Sequence, residues 1–237
     1  MSNYLLIKNI SVQNANAMSS AFTIGFPAVT AFLGFMHALQ RKINELAGFE
    51  KIRFSSIGIS CNDFKMHSYK GKKDFDYSII GTANPLKKNG ERPSFIEEPR
   101  CNFISSLVIS CEGVCGSNKD DVISKLVDLL NSKVKLAGGD ILKFDNILFM
   151  NIASEDEYES KKLLRSLMPG YCLIERKDLV LSSQKDGLDA LDGMMDYICL
   201  RSRAEKDEKD KVEWVTERKT LVARESISKT RQQEKKK

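Results

Sequence analysis

Residues 4–48 read YLLIKNISVQNANAMSSAFTIGFPAVTAFLGFMHALQRKINELAG, and the change of period inside that run decides the fold class. Tyr4 to Val12 is rich in β-branched and apolar residues and stops at the polar Gln13-Asn14-Ala15-Asn16, which predicts a strand. After Gly25-Phe26-Pro27, apolar residues recur at three- and four-residue steps: Phe32, Phe35, Met36, Leu39, Ile43 and Leu46. That spacing predicts a helix, with Pro27 near its start and Gly48 as its stop.

Outward from this unit the alternation returns. Phe54, Ile57, Ile59 and Cys61 mark a second strand over Ile52–Phe64, and Cys101 to Cys111 (CNFISSLVISC) a third. Asn118-Lys119-Asp120-Asp121 offers an N-cap and acidic first-turn residues for a helix through Val122, Ile123, Leu126, Leu129 and Leu130. Ile141-Leu142 and Ile147–Met150 then read as a fourth strand, bent or split. Strand, helix, strand, insertion, strand, helix, strand is the βαββαβ order of an α+β, ferredoxin-like (RRM-like) domain. In the RNA-recognition version two helices cover one sheet face and leave the other for nucleic acid, although many enzymes share the order. A third helix is expected over Glu155–Leu167, a strand-like piece at Tyr171–Ile174 and a last helix over Leu188–Leu200.

The insertion at about 65–100 is basic, and Tyr77-Ser78-Ile79-Ile80 suits one arm of a β-hairpin within it. The domain is expected to occupy residues 1–200, followed by a charged C-terminal tail, 201–237, that is mobile or ordered by a partner. This tail holds 13 Lys/Arg against 8 Asp/Glu, which accounts for the whole net charge of +5. The body is electrically balanced, so any grip on a polyanion must come from a local patch. Of 237 residues 42% are hydrophobic and 29% charged, which excludes fibrous and wholly disordered classes. No apolar run is long enough to span a bilayer, and Met1-Ser2-Asn3-Tyr4 has no basic n-region, so a cytoplasmic protein without membrane association is expected. The cysteines at 61, 101, 111, 115, 172 and 199 form no C-x-x-C pair and read as reduced core residues, with no metal or cofactor expected.

No P-loop, nucleophile elbow, zinc-protease helix or dinucleotide fingerprint is present. The candidate RNA-binding residues fall in three places. Gln13, Asn14, Asn16, Ser19 and Ser20 leave a strand end and can either read base edges or satisfy their own turn. Lys65, Lys70, Lys72 and Lys73, interleaved with His67 and Tyr69, supply cations for phosphates and a ring for stacking. Gly138-Gly139 suits either a helix C-cap or a phosphate cradle. His37, on the first helix, is either a general base of a metal-independent ribonuclease or a packing histidine.

The stretch Ser11–Ser20, continuing through Thr23-Ile24-Gly25-Phe26-Pro27 and Ala31 to Arg41, resembles the N-terminal signature of the second Csy protein family of type I-F CRISPR systems. Asn84-Pro85-Leu86, Ile96-Glu97-Glu98, Leu136–Gly139, Leu167–Tyr171 and Leu188–Leu191 keep that family's order. The resemblance covers roughly residues 4–200 and implies a ferredoxin-like fold with an inserted hairpin thumb. It also implies a non-catalytic subunit that holds the 5′ handle of crRNA, pairs with the large Csy subunit and touches the adjacent backbone subunit. Arg41, which closes the matching stretch, joins the expected RNA-binding residues. Family members continue past the region of Trp214, whereas this chain ends in Lys235-Lys236-Lys237, so it resembles a C-terminally short member. Two alternatives stay open: a crRNA-processing endoribonuclease using His37, and a decoy that blocks assembly of the complex.

Overall fold

The computed structural model describes residues 2–20, 23–74, 76–81, 85–93, 98–114, 116, 118–132, 134–152, 157–185, 187–198, 201–206 and 212–217. In chain order the elements are β1 (Ser2–Asn16), β2 (Met18–Ser20), β3 (Thr23–Ile24), α1 (Val29–Asn44), β4 (Arg53–Met66), β5 (Ser68–Tyr69), β6 (Ser78–Ile79) and β7 (Arg100–Glu112). They continue with α2 (Lys119–Ser132), β8 (Lys135–Leu136), β9 (Gly139–Lys143), β10 (Ile147–Ile152), α3 (Glu157–Ser166), β11 (Tyr171–Cys172), α4 (Lys177–Lys185), α5 (Ala190–Ile198), β12 (Arg201–Lys206) and β13 (Val212–Glu217). Two compact units divide at 173/174, ahead of α4, whereas the sequence reading placed its break at 200.

In the first unit β1 lies at the centre of an antiparallel sheet. One edge pairs with β7, which pairs in turn with β4; the other pairs with β10 through Ser2–Ile7 and with β9 through Ser11–Gln13. The fourth strand is therefore split in two, as its interrupted apolar pattern suggests.

The long β1 stays in register with its core by bulging twice. Its residues in the main core, Leu5, Ile7, Ile10, Val12 and Ala15, advance by steps of two and three, while Leu6 is buried outside that cluster. Each step of three within the strand coincides with a register shift against β7. Asn9 (φ 50°) and Asn14 (φ 58°) occupy those two sites, and asparagine is among the few non-glycine residues that enter the left-handed region at little cost.

Helix α1 packs Phe32, Phe35, Met36, Leu39 and Ile43 onto one sheet face, and α2 adds Val122, Leu126, Leu129 and Leu130. Asn118 O accepts the Val122 N–H at the start of α2 (3.0 Å), where the sequence suggested its cap. Phe26 stacks on Phe32 (5.5 Å, 9°), and both tilt against Phe103, with Phe64 completing the group. This aromatic cluster clamps β4 and β7 beneath the bulged end of β1.

The opposite sheet face is partly closed by the chain itself. Ser60 Oγ and Asn62 Nδ2 donate to Leu167 O, Asn62 Nδ2 also donates to Pro169 O (2.6 Å), and Ser106 Oγ donates to Asn62 Oδ1 (3.1 Å). Gly170 is pressed so near Ser60 and Asn62 that a Cβ would lie 2.5 Å from Ser60 Oγ. Leu167–Gly170 thus covers part of β4 on the face that the RNA-recognition layout would leave open.

Between β4 and β7, β5 pairs with β6 in a short hairpin within the basic insertion. In the second unit α4 packs on α5, where Gly193 lets the buried Ser183 approach, and β12 pairs with β13 along six residues each. The first part of the expected tail is thus a hairpin, since Arg201–Lys206 and Val212–Glu217 satisfy one another's backbones; residues 218–237 lie outside the described residues. Among the described residues no helix is long and apolar enough to cross a membrane.

Candidate nucleic-acid interface

The free end of the open face is built by cross-strand register. Lys65 (β4) pairs with Asn102 (β7), and Asp63 pairs with Ile104, which faces Ser11 on β1. With Gln13, Val12 and Leu142 these residues line a groove of about 310 Å³ that mixes polar and apolar side chains. Its backing is the aromatic cluster, since Phe64 and Phe103 alternate with the groove residues and are turned into the core. Asn102 Oδ1 accepts the Asn14 N–H (2.9 Å) and lies 3.1 Å from His67 Nε2, whose N–H donates to it in the matching tautomer. One side chain thus satisfies the amide that the positive φ of Asn14 turns out of the ladder.

A second groove, of about 410 Å³, lies on the helix side of the same strand end. Asn16 and Gly138 meet there with Arg100, Lys135 and the small residues Ala31 and Gly34 of α1. Asn16 Oδ1 accepts the Met18 N–H (2.8 Å), the self-satisfying turn that was one of the two readings of this segment. Arg100 pairs with Glu98 and donates from Nη1 to Asn14 O (3.4 Å), while its Nε is buried without a hydrogen-bond partner among the described residues. Lys135 pairs with Asp140 at 2.9 Å.

The twelve expected residues thus divide. Gln13 and Lys65 share the open-face groove, and Asn16 and Gly138 the helix-side groove. Asn14 is exposed at the bulge between them, and Arg41 is exposed on α1, seven residues beyond Gly34 and so on its stripe. Ser19 and Ser20 are not free readers, because both hydroxyls lie 2.7 Å from Thr23 Oγ1 and close the β2–β3 hairpin. Lys70 stands 5.1 Å over the Tyr77 ring, with Lys72 and Lys73 exposed at the turn of the insertion.

Gly138 and Gly139 form neither a helix C-cap nor a phosphate cradle of two. Helix α2 ends at Ser132, and Ala137 (φ 50°) and Gly138 (φ 75°) form the two-residue turn joining β8 to β9. Two successive positive φ values are the mark of a type I′ hairpin turn. Gly139 is buried against β1, where a Cβ would meet Gln13 O at 2.6 Å.

His37 is exposed on α1, and among the described residues no group of three or more His, Cys, Asp or Glu could hold a metal. Cys101 and Cys111 are buried, as their apolar settings suggest, and burial pushes both thiols up to about 11; Cys172 is exposed. Sequence reasoning counted Arg100 only among the basic residues of the insertion and passed over Asn102, Lys135 and Gly34. Asn102 was detectable as a polar residue on the outward phase of an apolar strand, and Gly34 as a glycine inside a helical pattern. Nothing local placed Arg100 beside Lys135, since only the pairing of β1 with β7 and β9 brings them together.

The fold is thus a mixed α/β domain with two grooves of mixed polar and apolar lining at one end of its sheet. The family described as CRISPR-associated protein, Cas_Csy2, matches residues 5–227. The CRISPR-associated protein Csy2 of Pseudomonas aeruginosa (strain UCBPP-PA14) is 34% identical over 192 residues, which is 74% of this chain and 56% of that relative. The chain therefore belongs to the CRISPR-associated Csy2 family of type I-F systems. It spans little more than half the length of the curated relative it matches.

Proposed function

We propose that this chain is a non-catalytic subunit of a cytoplasmic type I-F crRNA-guided complex and holds the 5′ handle of the crRNA. The observation that carries this reading is the pair of grooves on either side of the bulged end of β1, one with Gln13, Lys65 and Asn102, the other with Asn16, Arg100 and Lys135. A single strand passing over that end meets amides at base-edge reach and cations for phosphates. The spatial strand order β10, β1, β7, β4, with α1 and α2 as the crossovers, supports a ferredoxin-like domain, and the β5–β6 hairpin supports a thumb reaching an adjacent backbone subunit. Family membership supports a partner within the Csy complex, and the large Csy subunit is the partner in this reading.

The test is binding of handle RNA and of a scrambled RNA to the full chain, followed by anisotropy. Gln13→Ala should weaken the handle selectively by about 1–3 kcal/mol, the size of a good base contact. Lys65→Gln should weaken both RNAs and lower the salt slope by about 0.7. Equal binding of the two RNAs by the native chain refutes handle recognition. Cleavage of repeat RNA that disappears in His37→Ala would establish the ribonuclease reading instead.

A further inference from the structure

Gly34 sits in the sixth position of a sixteen-residue helix, where glycine is a poorer choice than any residue but proline. No packing contact asks for it: a Cβ there would meet nothing within 4 Å. The space it leaves open belongs to the helix-side groove, whose volume of about 410 Å³ lies at the small-ligand end of binding sites. Arg100 and Lys135 stand on the groove's other banks, and no carboxylate is among the lining residues.

Both cations can be recruited. The Lys135–Asp140 pair is exposed on both sides and the Glu98 partner of Arg100 is half exposed, so these pairs hold their charges only weakly. Among the described residues Arg100 Nε is buried with no hydrogen-bond partner, and its Nη1 contact to Asn14 O is long at 3.4 Å. A phosphate in the groove would draw the guanidinium round and give it a two-pronged partner. Asn16, whose Oδ1 is taken by Met18 N–H, offers its Nδ2 at the rim.

We infer that this groove takes one nucleotide of the bound RNA, its base laid against the bare backbone of α1 at Gly34 and its phosphate held by Arg100 and Lys135. The inference rests on the RNA-binding reading and adds to it a nucleotide-sized subsite on the helix side of the sheet. Two cations on the lining, with their carboxylate partners Glu98 and Asp140 outside it and displaceable by a phosphate, favour a nucleotide over a partner's apolar helix.

The test uses the full chain and an eight-nucleotide handle RNA in which a single abasic ribose is moved through every position. The native chain should lose about ten-fold in affinity at one position, the usual effect of removing a seated base. Gly34→Leu, which fills the groove and improves the helix, should lose about ten-fold on intact RNA and nothing more on that abasic RNA. Gly34→Ala, whose methyl group would stand on the surface the base covers, should weaken intact RNA by less than Gly34→Leu does, and an undiminished melting temperature for both variants shows that they fold. Unchanged RNA affinity in Gly34→Leu refutes the subsite while leaving RNA binding standing. Failure of the native chain to bind RNA refutes both, and loss of co-purifying protein subunits with RNA affinity intact assigns the groove to a protein instead.

Discussion

Replacing Gly139 with alanine should part β9 from β1. The new Cβ would lie 2.6 Å from Gln13 O, 2.7 Å from Val12 Cγ1 and 2.9 Å from Ala15 Cα. Two of those three atoms are backbone, so no side-chain rotation relieves the clash, and ordinary contact at 3.4 Å requires the strands to separate by about 0.8 Å. Overpacking of this kind costs about 1–3 kcal/mol, and each ladder hydrogen bond weakened at Val12–Ile141 or Gln13–Asp140 adds about 1 kcal/mol. A loss of about 2–4 kcal/mol should lower Tm by roughly 5–15 °C in a chain of this size. Gly138→Asn is the control: φ is 75°, the site is open, and asparagine tolerates that region, so stability should stay within about 0.5 kcal/mol. The assay is far-UV circular dichroism with hydrogen exchange on peptides spanning 9–17 and 135–143. Tryptophan fluorescence is unsuitable, since Trp214, the only tryptophan, lies on β13 in the other unit. Coincident melting of Gly139→Ala and the native chain would refute the close approach. A stable Gly139→Ala with lost RNA affinity would restore the phosphate-cradle reading.

Phe32→Ala removes a fully buried ring that stacks on Phe26 and tilts against Phe103, and should cost about 3–5 kcal/mol in urea denaturation; a cost under 1 kcal/mol would mean the cluster is not the centre of the core. Cys101 and Cys111 should resist alkylation in the folded chain at pH 8 while Cys172 is labelled, as read by peptide mass spectrometry, because burial holds the first two as thiols up to about 11. The unfolded chain releases those protons near the ordinary 9.0, so their contribution is fully present below that pH and is lost as pH rises from about 9 through 11. Rapid labelling of either buried thiol at pH 8 contradicts their burial.

Local periodicity was enough to place α1, β4, β7 and α2 within a few residues, because each buries one face and repeats its apolar residues at its own period. It was enough, too, to mark Gln13, Asn16, Lys65 and Gly138 as chemically apt, since polar side chains and permissive backbone are properties of single residues. The steps of two and three along β1 even encode its bulges, with Asn9 and Asn14 marking them. Which residues meet was decided by tertiary structure alone. Arg100 reaches the end of β1 only through antiparallel pairing with β7, Lys135 through the β8–β9 hairpin, and Asn102 captures the Asn14 amide across 88 positions of sequence. The covering of β4 by Leu167–Gly170 has the same origin. Hydrogen bonds from Ser60 and Asn62 to that segment span more than one hundred residues, and no local pattern carries information about partners so far away. A glycine's meaning is likewise non-local: Gly139 is demanded by the backbone of β1 and Gly34 by nothing that touches it, a difference set entirely by what the fold brings alongside.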